Sequence, residues 1–81
     1  MLTKYIQAAM RGAKYQILEE EGIFYGEIPG FQGVYSDTDT LEECREALQE
    51  VLEEWIVLGL QLGHVLPIVD GIELKVKLER V

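Results

Sequence analysis

Eighty-one residues, 48% of them hydrophobic, suffice for one domain with a single core, yet so small a domain is marginal alone, which makes oligomerisation an expectation. Fifteen acidic residues against seven basic ones leave a formal charge of −8, which argues against direct nucleic-acid binding, because that affinity depends on Lys and Arg displacing condensed counterions. A basic protein partner is favoured instead, since complementary fields steer and orient association.

Along the chain, Leu2, Tyr5, Ile6, Ala9, Met10 and Ala13 recur at spacings of three and four. They predict an amphipathic helix over about 2–12, ended by Gly12. From Lys14 to Glu19 the pattern changes to alternation, with Tyr15 and Ile17 on one side. The turn Glu20-Glu21-Gly22 leads into Ile23 to Ile28, rich in β-formers, so the two runs read as a hairpin. Pro29-Gly30 and Gly33 punctuate the next loop, and Val34-Tyr35-Ser36 makes a short third strand of an antiparallel meander.

Thr40-Leu41-Glu42-Glu43 has the form of a capping box, in which Thr40 accepts from the Glu43 amide and Glu43 reaches back to the Thr40 amide. Both Glu residues also sit where the helix dipole favours negative charge. Leu41, Cys44, Leu48, Val51, Leu52, Trp55, Gly59 and Leu62 then fall on one helical stripe, with Glu42, Glu43, Glu46, Glu50, Glu53 and Glu54 opposite. Gly63 terminates a helix over 41–62, about 33 Å long. Ile56, Val57 and Leu60 lie outside the stripe, so the second half of this helix should be covered on a second side, by the N-terminal helix or by another subunit. After Pro67 and the Asp70-Gly71 turn, Ile72, Leu74, Val76 and Leu78 alternate with Glu73, Lys75, Lys77 and Glu79 as a C-terminal strand, protected by its lysines if it lies at an edge. The expected architecture is α+β in the order α-β-β-β-α-β, one domain over residues 1–81 with a core of about 14–81 and the long helix packed on the sheet.

The stretch from Tyr25 to Leu52 resembles the HicB-like antitoxins. In that family a strand ends in a Pro-x-x-x-Gly loop, here Pro29-Gly30-Phe31-Gln32-Gly33. A short strand follows, then a Thr-Leu-Glu-Glu-Ala helix start, here Thr40-Leu41-Glu42-Glu43-Cys44. A proline soon after the long helix is matched by Pro67. The resemblance implies a truncated RNase H-like fold and the antitoxin of a type II pair, which neutralises a small basic HicA-like mRNA interferase by direct binding. Many members add a DNA-binding helix-turn-helix or ribbon-helix-helix, for which residues 67–81 leave no room, so operator binding is not carried over. The family core also usually begins with a strand, whereas a helix is expected here. Both departures suit a stand-alone member.

No catalytic, metal or cofactor site is expected. A metal-dependent nuclease needs several converging carboxylates; Glu27, Asp37, Asp39 and Asp70 supply no recognisable cluster, and most of them read as turn and cap residues. Asp37-Thr38-Asp39 lacks the downstream spacing of a calcium loop. His64 has no second histidine or nearby cysteine to share a metal, and reads as a helix-end or interface residue. Cys44, the one cysteine, excludes an internal disulfide; with no signal peptide it points to a reducing cytoplasm. Its place on the stripe, like that of Trp55, predicts core packing. Trp55 to Leu60 is too short an apolar run to span a bilayer.

The candidate partner-binding residues are Phe31, Glu42, Glu46, Glu50 and Glu53; Phe31 is either presented by its loop or folded over the sheet. Ile56, Val57 and Leu60 are the candidates for self-association into a dimer or tetramer. The functional expectation is a protein-binding antitoxin, and the alternative is a self-associating structural or regulatory domain without a toxin partner.

Overall fold

The computed structural model describes residues 2–74. Their order is α1 (Leu2–Arg11), β1 (Lys14–Leu18), β2 (Ile23–Glu27), β3 (Tyr35–Thr38) and α2 (Leu41–Gln61). The strands form an antiparallel sheet in the order β1-β2-β3, α2 packs on it and α1 packs against α2, an α+β fold. The C-terminal strand expected over 72–78 is outside the described residues from Lys75 onward. The part that is described forms a tight turn: Val69 and Ile72 exchange both backbone hydrogen bonds (3.1 and 2.7 Å) around Asp70 and Gly71. Both turn residues have positive φ (48° and 74°), as a two-residue hairpin of the primed type demands.

Between β2 and β3 two turns run in series. The Phe31 amide donates to the Ile28 carbonyl and the Val34 amide to the Phe31 carbonyl (3.1 and 3.2 Å). Gly30 (φ 89°) and Gly33 (φ 88°) each fill the third position of a turn, where type II geometry demands positive φ, and Pro29 fills the second position of the first. The corner residues Ile28, Phe31 and Val34 therefore recur every third position, and all three are buried. This settles the two readings of Phe31. Its ring folds inward between Tyr5 (6.2 Å) and Trp55 (5.2 Å), edge to face with both, so it is a core residue and not a surface contact. Val34 belongs to this loop and not to the third strand, which runs on to Thr38.

The helix start agrees with the capping reading in one half and departs in the other. Thr40 has extended backbone angles and accepts from the Glu43 amide (3.1 Å). The Glu43 carboxylate, however, accepts from the Thr40 hydroxyl (2.9 Å). At the far end Gly63 (φ 73°) closes a Schellman motif: its amide donates to Leu60 (3.2 Å) and the His64 amide donates to Gly59 (2.8 Å).

The buried line along α2 is Cys44, Leu48, Leu52, Ile56 and Gly59. Steps of four advance about 40° around a helix of 3.6 residues per turn. The buried face therefore swings as α2 leaves the sheet and passes under α1 and the segment after Gly63. That rotation takes Ile56 into the core at 1% exposure and corrects its assignment to a self-association face; Leu41 and Leu62, expected on the stripe, are exposed. Leu66 lies against Gly59 so closely that a Cβ there would come within 2.8 Å of its Cδ2. Tyr5, fully buried, donates its hydroxyl to the Pro67 carbonyl (2.6 Å) and so ties α1 to the same segment.

Candidate functional site

Three surfaces remain outside this core. The first is the acidic side of α2. Glu42, Glu43, Glu46, Glu50 and Glu54 are exposed, while Glu53 is half-buried beside Gln49, which donates to it (3.0 Å). Glu53 and Arg45 also flank a cleft of about 760 Å³ between α1, β1 and α2, floored by Ile6, Met10 and Tyr15. Arg11 pairs with Asp70 (3.3 Å), and among the described residues no α2 carboxylate has an ion-pair partner. Of the expected partner-binding residues, Glu42, Glu46 and Glu50 share the open side of the helix, Glu53 turns toward the cleft, and Phe31 is buried.

The second surface is apolar. Val57 and Leu58 are about half exposed, Leu62 and Ile68 more so, and Val65 is 97% exposed. Of the expected self-association residues, Val57 belongs here. Leu60 is half-buried and lines a small hollow with Leu66 and Leu74, and Ile56 is internal.

The third surface did not stand out in the sequence. Gly26 and Ser36 pair across the sheet and face α2: a Cβ on Gly26 would come within 3.1 Å of the Cys44 Sγ, and the Ser36 hydroxyl donates to the Cys44 carbonyl (2.9 Å). Side chains alternate along a strand, so Tyr25, Glu27, Tyr35 and Asp37 occupy the opposite face. The rings of Tyr25 and Tyr35 stack there, 6.1 Å apart at 25°, and the Tyr25 hydroxyl donates to Glu27 (3.3 Å). Burial, followed by the neighbouring Glu27, Tyr35 and Asp37, pushes the Tyr25 hydroxyl above its usual pKa of 10.0. Tyr-x-Glu and Tyr-x-Asp at alternate positions were the available signal; the register that unites them depends on the length of the double turn.

The UPF0150-like family model matches residues 4–67. The chain belongs to the UPF0150-like family. Its fold is similar to the crystal structure of TTHA0281 from Thermus thermophilus, with a TM-score of 0.87 and 34% sequence identity over 94% of each chain. No curated protein matches it. The family match runs from α1 through the double turn and α2 to Pro67, and so takes in the helices and strands that carry the three surfaces, with Ile68 just beyond it.

The residues weighed for chemistry are dispersed. Asp70 closes its turn and pairs with Arg11, Asp39 precedes the α2 cap in solvent, and Glu27 and Asp37 lie on the open face of the sheet. Among the described residues no three His, Cys, Asp or Glu side chains are grouped closely enough to hold a metal ion. His64 is exposed beyond the helix end, and Cys44 is buried against Ser36, whose carbonyl its thiol faces at 3.7 Å. No described helix is long and apolar enough to cross a membrane.

Proposed function

We propose that this chain is a non-catalytic protein-binding domain, the antitoxin of a type II toxin–antitoxin pair, which neutralises a small basic HicA-like mRNA interferase by covering it. The observation that carries the reading is the run of unneutralised carboxylates along α2, on a member of a family related to the HicB-type antitoxins. Such a face attracts a basic protein from a distance, raises the encounter rate and disfavours acidic competitors. Affinity for a small basic ribonuclease by this route masks the surface that ribonuclease uses on RNA, since both depend on the same Lys and Arg side chains.

Co-expression with the product of a neighbouring gene that encodes a small basic protein tests the reading. The expected result is a stable complex that survives purification and weakens as salt rises, together with relief of growth arrest. Separate purification of the two proteins, or toxicity unaffected by this chain, would sink it.

A second reading, self-association without a toxin, draws on a different observation, the exposed Val57, Leu58, Leu62, Val65 and Ile68. A contiguous exposed apolar patch is a common mark of association, and Leu58 and Leu62 stand four positions apart at the end of α2. Light scattering at micromolar concentration distinguishes a monomer, which ends this reading, from a dimer or tetramer.

A further inference from the structure

We propose that arginine side chains of a basic protein partner dock on the open face of the sheet, with guanidinium groups seated over the Tyr25–Tyr35 pair and their charge met by Glu27 and Asp37. The inference rests on the antitoxin-type reading above for the class of partner and adds the place where that partner is held.

No described element covers this face. Tyr35 is 57% exposed and Gln16, Glu27 and Asp37 are exposed beside it, whereas the other face of the same sheet is closed by α2. Register sets the pattern: Gln16, Tyr25 and Asp37 form one cross-strand row and Lys14, Glu27 and Tyr35 the next. Where β1 turns into β2 the face is flanked by the exposed Glu19, Glu20 and Glu21, with Asp39 following β3 at the same end. Lys14 is the one basic residue in these rows, so the face is complementary to a cation-bearing surface.

The aromatic pair separates this face from the acidic side of α2. A guanidinium lies flat on a tyrosine ring and gains from its quadrupole while its edges donate to carboxylates. Here both halves of that recognition are present, and they are ordered before binding: the rings already stack and the Tyr25 hydroxyl already holds Glu27. Preorganised tyrosines lose little side-chain entropy on association, whereas a row of glutamates on an exposed helix must each be immobilised. Tyrosine and arginine are enriched in the energetic centres of interfaces, and glutamate is depleted there. The α2 carboxylates then steer the encounter and the sheet face retains the partner.

The test uses the full chain, isotopically labelled, and a synthetic arginine–glycine repeat peptide at low ionic strength, with a lysine–glycine repeat of equal length as control. Amide shift changes are expected at Gln16, Tyr25, Glu27, Tyr35 and Asp37, larger for the arginine peptide. Tyr35→Leu, which keeps apolar area but removes the ring, should weaken binding about fivefold, and Asp37→Lys should weaken it further. Changes confined to Glu42–Glu54, absence of binding, or unaltered affinity in both variants would overturn the proposal. In co-expression with the neighbouring basic protein, Tyr35→Leu/Asp37→Lys should release the partner, and Glu46→Lys/Glu50→Lys should slow association while retaining it. The reverse result rejects the sheet face and leaves the antitoxin reading standing. Failure of the wild-type chain to bind that protein rejects the antitoxin reading, and the peptide data then decide the surface alone.

Discussion

The two faces of the sheet differ by one residue of register and by almost everything else. Toward α2 the central positions are Gly26 and Ser36, small enough that Cys44 and the Tyr15 ring lie directly on the strands. Away from α2 the positions beside them carry Tyr25, Glu27, Tyr35 and Asp37. On the covered face side-chain size is set by how closely a helix approaches, and every polar group there must find a partner. Ser36 and Cys44 meet that demand reciprocally, hydroxyl to carbonyl (2.9 Å) and thiol to carbonyl (3.7 Å). On the open face no such constraint acts, so large aromatic and charged side chains there contribute little to folding and are available for recognition. Stability and binding are therefore separable by mutation.

The largest effect should come from the α2 ridge above the covered face. Leu52→Ala, at a fully buried position, is expected to cost about 2–5 kcal/mol, read as a lower denaturant midpoint at unchanged slope. Gly26→Ala should follow at about 1–3 kcal/mol, because its Cβ would stand 2.8 Å from the Tyr15 ring and 3.1 Å from Cys44 Sγ. A stability equal to wild type would mean that the helix does not lie so close to the sheet.

Tyr5→Phe should cost about 1 kcal/mol through loss of the hydroxyl bond to Pro67. It also carries a pH signature. Burial raises the Tyr5 pKa above 10.0 in the folded chain, so the neutral hydroxyl is the form that folding favours. Its contribution is complete below pH 10 and is lost as pH rises through the folded-state value. The difference between wild type and Tyr5→Phe in thermal unfolding should shrink accordingly in strong alkali. The smallest effect belongs to the open face: Tyr35→Leu should change stability by less than about 0.5 kcal/mol, while weakening arginine-peptide binding. A large stability loss there would erase the division between the faces.

Much of the architecture was legible because it is local. The helix start at Thr40, the stop at Gly63 and the Asp70-Gly71 turn each depend on a few neighbouring residues and on the φ angles that glycine permits. Periodicity likewise marked both helices and all three strands, with boundaries shifted by a residue or two. The C-terminal alternation is as regular, but its outcome lies beyond the described residues. The acidic side of α2 was also readable, because its Glu positions fall opposite the apolar stripe and a carboxylate with no buried partner stays in solvent.

What the sequence by itself determined, then, is the order of elements, the charge and the sites where the chain turns. Tertiary structure alone decided which way the ambiguous apolar residues face. Phe31 goes inward because it occupies the corner shared by two turns and finds the rings of Tyr5 and Trp55 there. Ile56 is buried and Val57 is not, because the contact line of α2 winds as the helix crosses from the sheet to α1 and Leu66. Tyr25 and Tyr35, ten positions apart in sequence, become one stacked pair only through the register of β2 against β3. The physical reason is common to all three. Local propensity is a property of neighbouring residues in the chain, whereas burial and pairing depend on which distant surface arrives opposite them.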